Sequence, residues 1–218
     1  MTSDSREVVV VILAAGAGRR LGGVAKALLP ARPDDERPGD GWDSDVMPAP
    51  SSFLARVARA AAAGGAKRGV VVVGPPHGER VAGEARRLHL DVVDNPDPAR
   101  GMSWSVALGF EYAETRFGAA RSALLWPVDH AGVAPATAAR LVAEAQAADP
   151  DRILVPVWRG RGGHPTAFGR ALWPELSACG PLPRGARSVL DRRADRVRRL
   201  DVDDPGVAAD VDRPADLG

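Results

Sequence analysis

Val8-Val9-Val10-Val11-Ile12-Leu13-Ala14-Ala15-Gly16-Ala17-Gly18-Arg19-Arg20-Leu21-Gly22-Gly23-Val24-Ala25-Lys26 is the stretch whose reading decides the fold. Its first half is a β-branched run without apolar/polar alternation, the pattern of a central parallel strand covered on both faces. Small residues then replace it abruptly. From Ala14 to Gly18 the main chain is unshielded, so successive amide N–H groups can close around an anionic oxygen. Arg19, Arg20 and Lys26 bring positive charge to the same loop. A P-loop would need Gly-Lys-Ser/Thr after four intervening residues, and none follows. The dinucleotide fingerprint would need Gly-x-Gly-x-x-Gly and an acidic residue ending a second strand about 20 positions on. Here Gly16 and Gly18 are followed by Leu21 at the third-glycine position. Asp34 and Asp35 lie between Pro33 and Pro38, in a stretch that cannot be a strand.

Outward from this loop, apolar strands and helices alternate. Ser51 or Ser52 can cap a helix with Phe53, Leu54, Val57 and Ala61 at helical spacing, ended by Gly64-Gly65. Val70–Val73 reads as a buried strand, Glu79–Leu88 as a polar helix and Leu90–Val93 as a short strand. Asn95-Pro96-Asp97-Pro98-Ala99-Arg100-Gly101-Met102-Ser103-Trp104-Ser105 then enters a helix, with Ser103 either an N-cap or a ligand contact. Ser122-Ala123-Leu124-Leu125-Trp126-Pro127-Val128-Asp129-His130 reads as another apolar strand ending in a carboxylate, Asp129. A carboxylate at the carboxyl end of a parallel strand points into the crevice where open α/β sheets bind ligands. One such group, with substrate phosphates, can start a Mg²⁺ site. His130 beside it is a loop histidine or a base.

A helix over 136–147 leads to a strand at 152–157 and to Trp158-Arg159-Gly160-Arg161-Gly162-Gly163-His164-Pro165. Arg159 and Arg161 on this turn either form a second anion site or are simply solvated. His164 can point a ring nitrogen at a ligand. Residues 184–190 read as a helix start and Val197–Val202 as an edge strand. In the closing Asp210-Val211-Asp212-Arg213-Pro214-Ala215-Asp216-Leu217, Asp210 and Asp212 alternate, so at most one faces a site; Asp216 reads as a first-turn helix acid.

Taken in order, these motifs resemble the nucleotidyltransferases similar to molybdenum cofactor cytidylyltransferase, which have a glycosyltransferase-A-like fold. The family pattern Leu-Ala-Ala-Gly-x-Gly-x-Arg-…-Gly-…-Lys matches the glycine loop, with Leu21 where Met is usual. The resemblance extends over Asn95–Gly109, Asp129, Gly160–Pro165, Gly185–Arg187 and Asp210–Leu217. It implies a single three-layer α/β/α domain over residues 1–218, with a mostly parallel sheet like that of nucleotide-diphospho-sugar transferases. It also implies that Leu13, Ala14, Ala15, Gly16 and Gly18 wrap an NTP triphosphate, and that Arg20 and Lys26 neutralise its charge. Gly101, Ser103 and Ser105 would then meet base and ribose. Asp129, with Asp210 preferred over Asp212, would hold Mg²⁺, and His164 would bind ligand on the acceptor side. The activity implied is transfer of a nucleoside monophosphate, CMP from CTP, to a phosphorylated acceptor such as a molybdopterin-type cofactor, with pyrophosphate released and a molybdoenzyme as recipient of the product. The family has Asp-Gln-Pro where this chain has Asp129-His130-Ala131, which opens the question of the acceptor. Two other readings stand beside it: an NAD(P)-dependent oxidoreductase, and a non-catalytic cofactor carrier of the same fold.

Composition bounds these readings. Lys and Arg number 29 against 28 Asp and Glu, a net charge of +1, so no basic field argues for nucleic acid. Lys26 and Lys67 are the only lysines, which makes a lysine in the glycine loop conspicuous. With Cys179 alone, neither an intrachain disulfide nor a thiolate metal cluster can form, which suits a reducing cytoplasm. The apolar run after Glu7 is too short to span a bilayer and no cleavage-like site follows it, so neither a membrane span nor a signal peptide is expected. Residues 31–50, rich in Pro, Asp and Gly, read as an insertion that is a lid or disordered, with Trp42 and Met47 its sizeable apolar side chains.

Overall fold

The computed structural model describes residues 6–30 and 52–210. The expected insertion at 31–50, with Trp42 and Met47, and the acids Asp212 and Asp216 lie outside the described residues.

The valine run forms β1 (Val8–Leu13), buried along its whole length. On its two sides lie β2 (Gly69–Val73) and β4 (Ser122–Pro127), both parallel to it, with β3 (Asp91–Asp94) outside β2. Beyond β4 the sheet changes character. β7 (Thr166–Gly169) runs antiparallel to β4 and to β5 (Ile153–Trp158). β6 (Arg161–Gly162) pairs antiparallel with the end of β5, while β8 (Val197–Asp201) runs parallel along the other side of β5. The strand order is β3-β2-β1-β4-β7-β5-β6, with β8 on β5. The sheet is therefore mixed and mostly parallel, as expected from the sequence. β7 departs from that reading, because Thr166-Ala167-Phe168-Gly169 is too short and too close to the glycine-rich turn to stand out as a strand.

Because strand side chains alternate, β1 feeds two cores. Val8, Val10 and Ile12 pack with Leu54, Val57, Val81 and Leu141 from α1 (Phe53–Ala63), α2 (Gly78–Arg87) and α4 (Pro135–Ala147). Val9, Val11 and Leu13 pack with Val106, Phe110, Trp173, Leu176 and Val189 from α3 (Met102–Arg116), α5 (Trp173–Ser177) and α6 (Ala186–Arg192). Sheet and helices thus make three layers. α3 crosses so close to the sheet that a Cβ on Gly109 would run into Val11 and meet Val72. Of the two expected serine caps, Ser52 is the one described: its side chain accepts from Ala55 N at 3.1 Å. Ser103 is not a cap. That position belongs to Gly101, whose φ of 99° suits glycine. Among the described residues no helix is long and apolar enough to cross a membrane.

Candidate active site

Two cavities open over the carboxyl ends of β1 and β4. Leu13, Pro127 and Met102 line both of them, and Leu13 and Pro127 are paired neighbours in the sheet.

The first cavity, about 770 Å³, is walled by Leu13, Ala14, Ala15, Gly16, Ala17, Gly18 and Arg19, by Lys26 and Asp129, and by Gly101 and Ser105. Its loop is held by the main chain. Ala14 N donates to Val72 O at 2.9 Å, and the Gly18 carbonyl accepts from Leu21 N at 2.8 Å and Gly23 N at 3.0 Å. Gly18 has φ 61° and lies against the Val24 carbonyl, so a Cβ there would collide with it. His77, on the turn before α2, donates from Nε2 to the Gly23 carbonyl at 2.8 Å and ties that turn to the loop. Nothing in the local sequence around Pro75-Pro76-His77 signals this contact, since it joins residues 54 positions apart.

Lys26 opens a short 3₁₀ turn after the loop. Its Nζ donates to Asp129 Oδ2 at 3.3 Å, with the two side chains 16% and 19% exposed. Residues 103 positions apart therefore meet at the cavity wall. Arg20 falls in the 3₁₀ turn Arg19–Leu21 of the same loop. Across the cavity, buried Asn95 fastens the Asn-Pro turn. Its Nδ2 donates to Ser105 Oγ at 3.0 Å and its Oδ1 accepts from Asp97 N at 3.0 Å. Ser105 thus braces the turn as well as lining the cavity.

The second cavity, about 960 Å³, has a floor of Val106, Leu125, Val155 and Phe168 and includes Ser103, His130, His164 and Asp210. The structure accordingly divides the expected residues: Asp129 lines the first cavity, while Ser103, His164 and Asp210 line the second. The His130 and His164 rings lie 4.9 Å apart, tilted by 57°. Burial, reinforced by the neighbouring His130, lowers the His164 pKa to about 4, against a weaker opposing contact with the Leu125 carbonyl. His164 is therefore a neutral imidazole at physiological pH. Among the described residues, the buried Nδ1 of His130 has no hydrogen-bond partner.

The positive groups of this second cavity are not those expected. Arg159 and Arg161 are exposed and neither lines it; the Arg159 guanidinium lies over the Trp158 ring at 4.8 Å. Arg184, Arg187 and Arg199 take their place. Arg184 and Arg187 share Asp191 at 2.9 and 3.2 Å, and Arg199 donates to the Gly160 carbonyl at 3.0 Å. Buried Asp204, which also gave no sequence signal, accepts from Ala134 N and Gly206 N, each at 2.9 Å. It joins the segment after β8 to the loop that carries Asp129 and His130. Gly163 packs so tightly on the Val207 carbonyl that a Cβ would overlap it.

Residues 10–197 match the MobA-like NTP transferase domain. The chain belongs to that family. Rv0371c from Mycobacterium tuberculosis H37Rv is 26% identical, with a TM-score of 0.72 over 97% of this chain and 95% of that one, and another structure of it is a complex with manganese. A nucleotidyl transferase from Methanothermobacter thermautotroptrophicus, 21% identical, has a TM-score of 0.73 over 98% and 95% of the two chains. CMP:2-keto-3-deoxy-manno-octonic acid synthetase, solved in complex with CTP, is 14% identical with a TM-score of 0.66 over 97% and 95%; these last two likenesses concern the fold. Among curated proteins, the Nicotine blue oxidoreductase of Paenarthrobacter nicotinovorans is 28% identical over 212 residues, 94% of this chain and 92% of that protein. By family the chain is a MobA-like nucleotidyltransferase.

Proposed function

We propose that this chain transfers CMP from CTP to a phosphorylated acceptor, with the nucleotide in the glycine-lined cavity and the acceptor in the cavity of the histidine pair. The observation that carries the reading is the meeting of Lys26 and Asp129 at the wall of the glycine loop. A cation and a carboxylate placed together beside unshielded amides suit a triphosphate that arrives with a divalent ion.

An acceptor phosphate oxygen would form the new bond to the α-phosphorus in line. The bond from that phosphorus to the α–β bridging oxygen would break, and pyrophosphate would leave. Lys26 and Arg20 neutralise charge on the departing pyrophosphate, and the amides of Ala15 to Gly18 hold its oxygens. Gly101 and Ser105 bound the nucleoside end. Arg184, Arg187 and Arg199 offer guanidinium forks to the acceptor's anionic group.

The residues fit a divalent ion that relies on its substrate. No group of three or more His, Cys, Asp or Glu capable of holding a metal occurs among the described residues, whereas Mg²⁺ is commonly held by one or two carboxylates plus phosphates. Asp129 would hold it, with Asp210 as the second candidate, and the ion would supply charge neutralisation at the reacting phosphate. The manganese complex of Rv0371c supports a divalent ion, and the CTP complex of the octonic acid synthetase supports CTP.

A second reading, reduction by a nicotinamide nucleotide, is favoured by one observation, the oxidoreductase name of the curated relative. Thermal shifts with each of the four NTPs, with and without Mg²⁺ or Mn²⁺, and with NADH and NADPH, separate the two. Metal-dependent stabilisation by CTP supports transfer. Stabilisation by NADH or NADPH alone, indifferent to metal, supports reduction and overturns the proposal.

A further inference from the structure

The two cavities meet at a seam: Leu13 and Pro127 form its base, side by side at the ends of β1 and β4, and Met102 is the third residue common to both. Around Met102 the first turn of α3 is fastened everywhere else. The Trp104 ring lies against Gly180, where a Cβ would meet it, and the Arg100 guanidinium stacks over that ring at 3.2 Å. Ser105 is held by Asn95, and the Ser103 carbonyl accepts from Cys179 Sγ at 3.6 Å. Met102 alone of this turn projects, 61% exposed, the more exposed of the two large exposed apolar side chains among the described residues. Gly101 before it, with φ 99° and open space around its missing Cβ, leaves room on the nucleotide side.

An exposed thioether on an anchored turn adds nothing to the core, but covering it with a ligand removes apolar surface from water, which is favourable. Methionine is also unbranched and adapts to irregular surfaces. We propose that Met102 is the water-excluding contact at the seam, closing over the bound nucleotide and separating its α-phosphate from solvent in the second cavity until the acceptor displaces it. The inference rests on the nucleotide reading of the first cavity. In its absence, water would do what the acceptor does: a water oxygen bonds to the α-phosphorus, the bond to the bridging oxygen breaks, pyrophosphate and the nucleoside monophosphate leave, and the water's protons pass to solvent. Excluding water is a recognised means of suppressing such side reactions.

The test uses the full chain, Mg²⁺ and CTP, with no acceptor present. Thermal shift reads CTP binding, and released CMP and pyrophosphate read hydrolysis. For Met102→Ala the expected result is a CTP-induced shift that is smaller but still present, with hydrolysis at saturating CTP raised several-fold over wild type, and a return to the wild-type rate in Met102→Leu, which restores the apolar bulk. Equal hydrolysis in wild type and Met102→Ala, both binding CTP, overturns the role of Met102 and leaves the nucleotide reading standing. Hydrolysis raised equally in both variants also overturns it, since bulk would then be irrelevant. Absence of any CTP-induced shift in wild type overturns the nucleotide reading, and this inference with it.

Discussion

The two halves of the cleft are built by different means. The half proposed for the nucleotide is organised around one continuous strand and loop, Val8 to Lys26, with its glycines and its lysine within one short run, and Asp129, Gly101 and Ser105 complete it. The half proposed for the acceptor is assembled from the far side of β4 by pieces distant in sequence: His130 against His164, Gly163 against Val207, and Asp204 reaching back to Ala134. The difference corresponds to the change in the sheet itself, parallel from β3 to β4 and mixed beyond. A parallel array places all its strand-to-helix turns at one edge, where a fixed chemical group can be bound. The mixed half supplies a larger, more adaptable wall. On the proposed function, one half suits the triphosphate and the other the acceptor.

The comparison breaks most severely at Lys26. Lys26→Ala removes a preorganised cation and should lower turnover by about 10² to 10³, the usual cost of one such group. The measurement is initial rate at saturating CTP and metal, and a rate equal to wild type would remove the loop from the chemistry. Asp129→Asn should have the next largest effect: the rate's dependence on metal concentration shifts to much higher metal, because a neutral amide oxygen replaces a carboxylate. The same variant leaves the Lys26 ammonium without this partner, so unliganded stability should change little, the pair being partly solvated. An unshifted metal titration would transfer the ion to Asp210 or Asp212.

On the other side, Asp204→Ala strands the buried amide of Gly206 and the part-buried amide of Ala134, and should cost on the order of 1–3 kcal/mol for the buried group and less for the other. Denaturant unfolding reads this directly. CTP affinity in the folded fraction should remain, and a parallel loss of CTP affinity would mean that the two halves are one unit.

The smallest effect concerns pH. His164 has a folded pKa of about 4 against an ordinary 6.5, so between these values the unfolded chain binds more protons than the folded one. Its contribution to stability is whole above pH 6.5, declines as pH falls towards 4, and changes no further below that. His164→Gln should therefore flatten the fall in melting temperature between pH 6.5 and 4 relative to wild type. Identical pH profiles for the two proteins would mean that His164 titrates normally.

The same contrast explains what could be read from the residues alone. β1, its glycine loop, Lys26 and Asp129 were legible because each is a local pattern: a β-branched run, a cluster of small residues, a carboxylate ending a strand. Their meeting at 3.3 Å follows from adjacent parallel strands ending at one edge. β7 was not legible, since a four-residue strand next to a glycine-rich turn carries no periodicity. Arg159 and Arg161 looked like the anion site because they are close in sequence. Of the side chains that line the cavity, Arg184 and Arg187 share one turn that reads locally only as a helix start, and Arg199 joins them from β8, which no local spacing relates to that turn. Ser103 as a cap competed with a glycine whose φ of 99° is available to few other residues, and the glycine holds the position.

The central claim is that nucleotide and acceptor occupy opposite sides of the seam at Met102. Titration of Mg²⁺-CTP into wild type, Lys26→Ala and His164→Gln, followed by calorimetry, tests it most directly. The account predicts a weakened dissociation constant in Lys26→Ala and a wild-type value in His164→Gln. Equal weakening in the two variants would contradict it, placing the histidine pair in the nucleotide site and leaving the acceptor to be bound elsewhere.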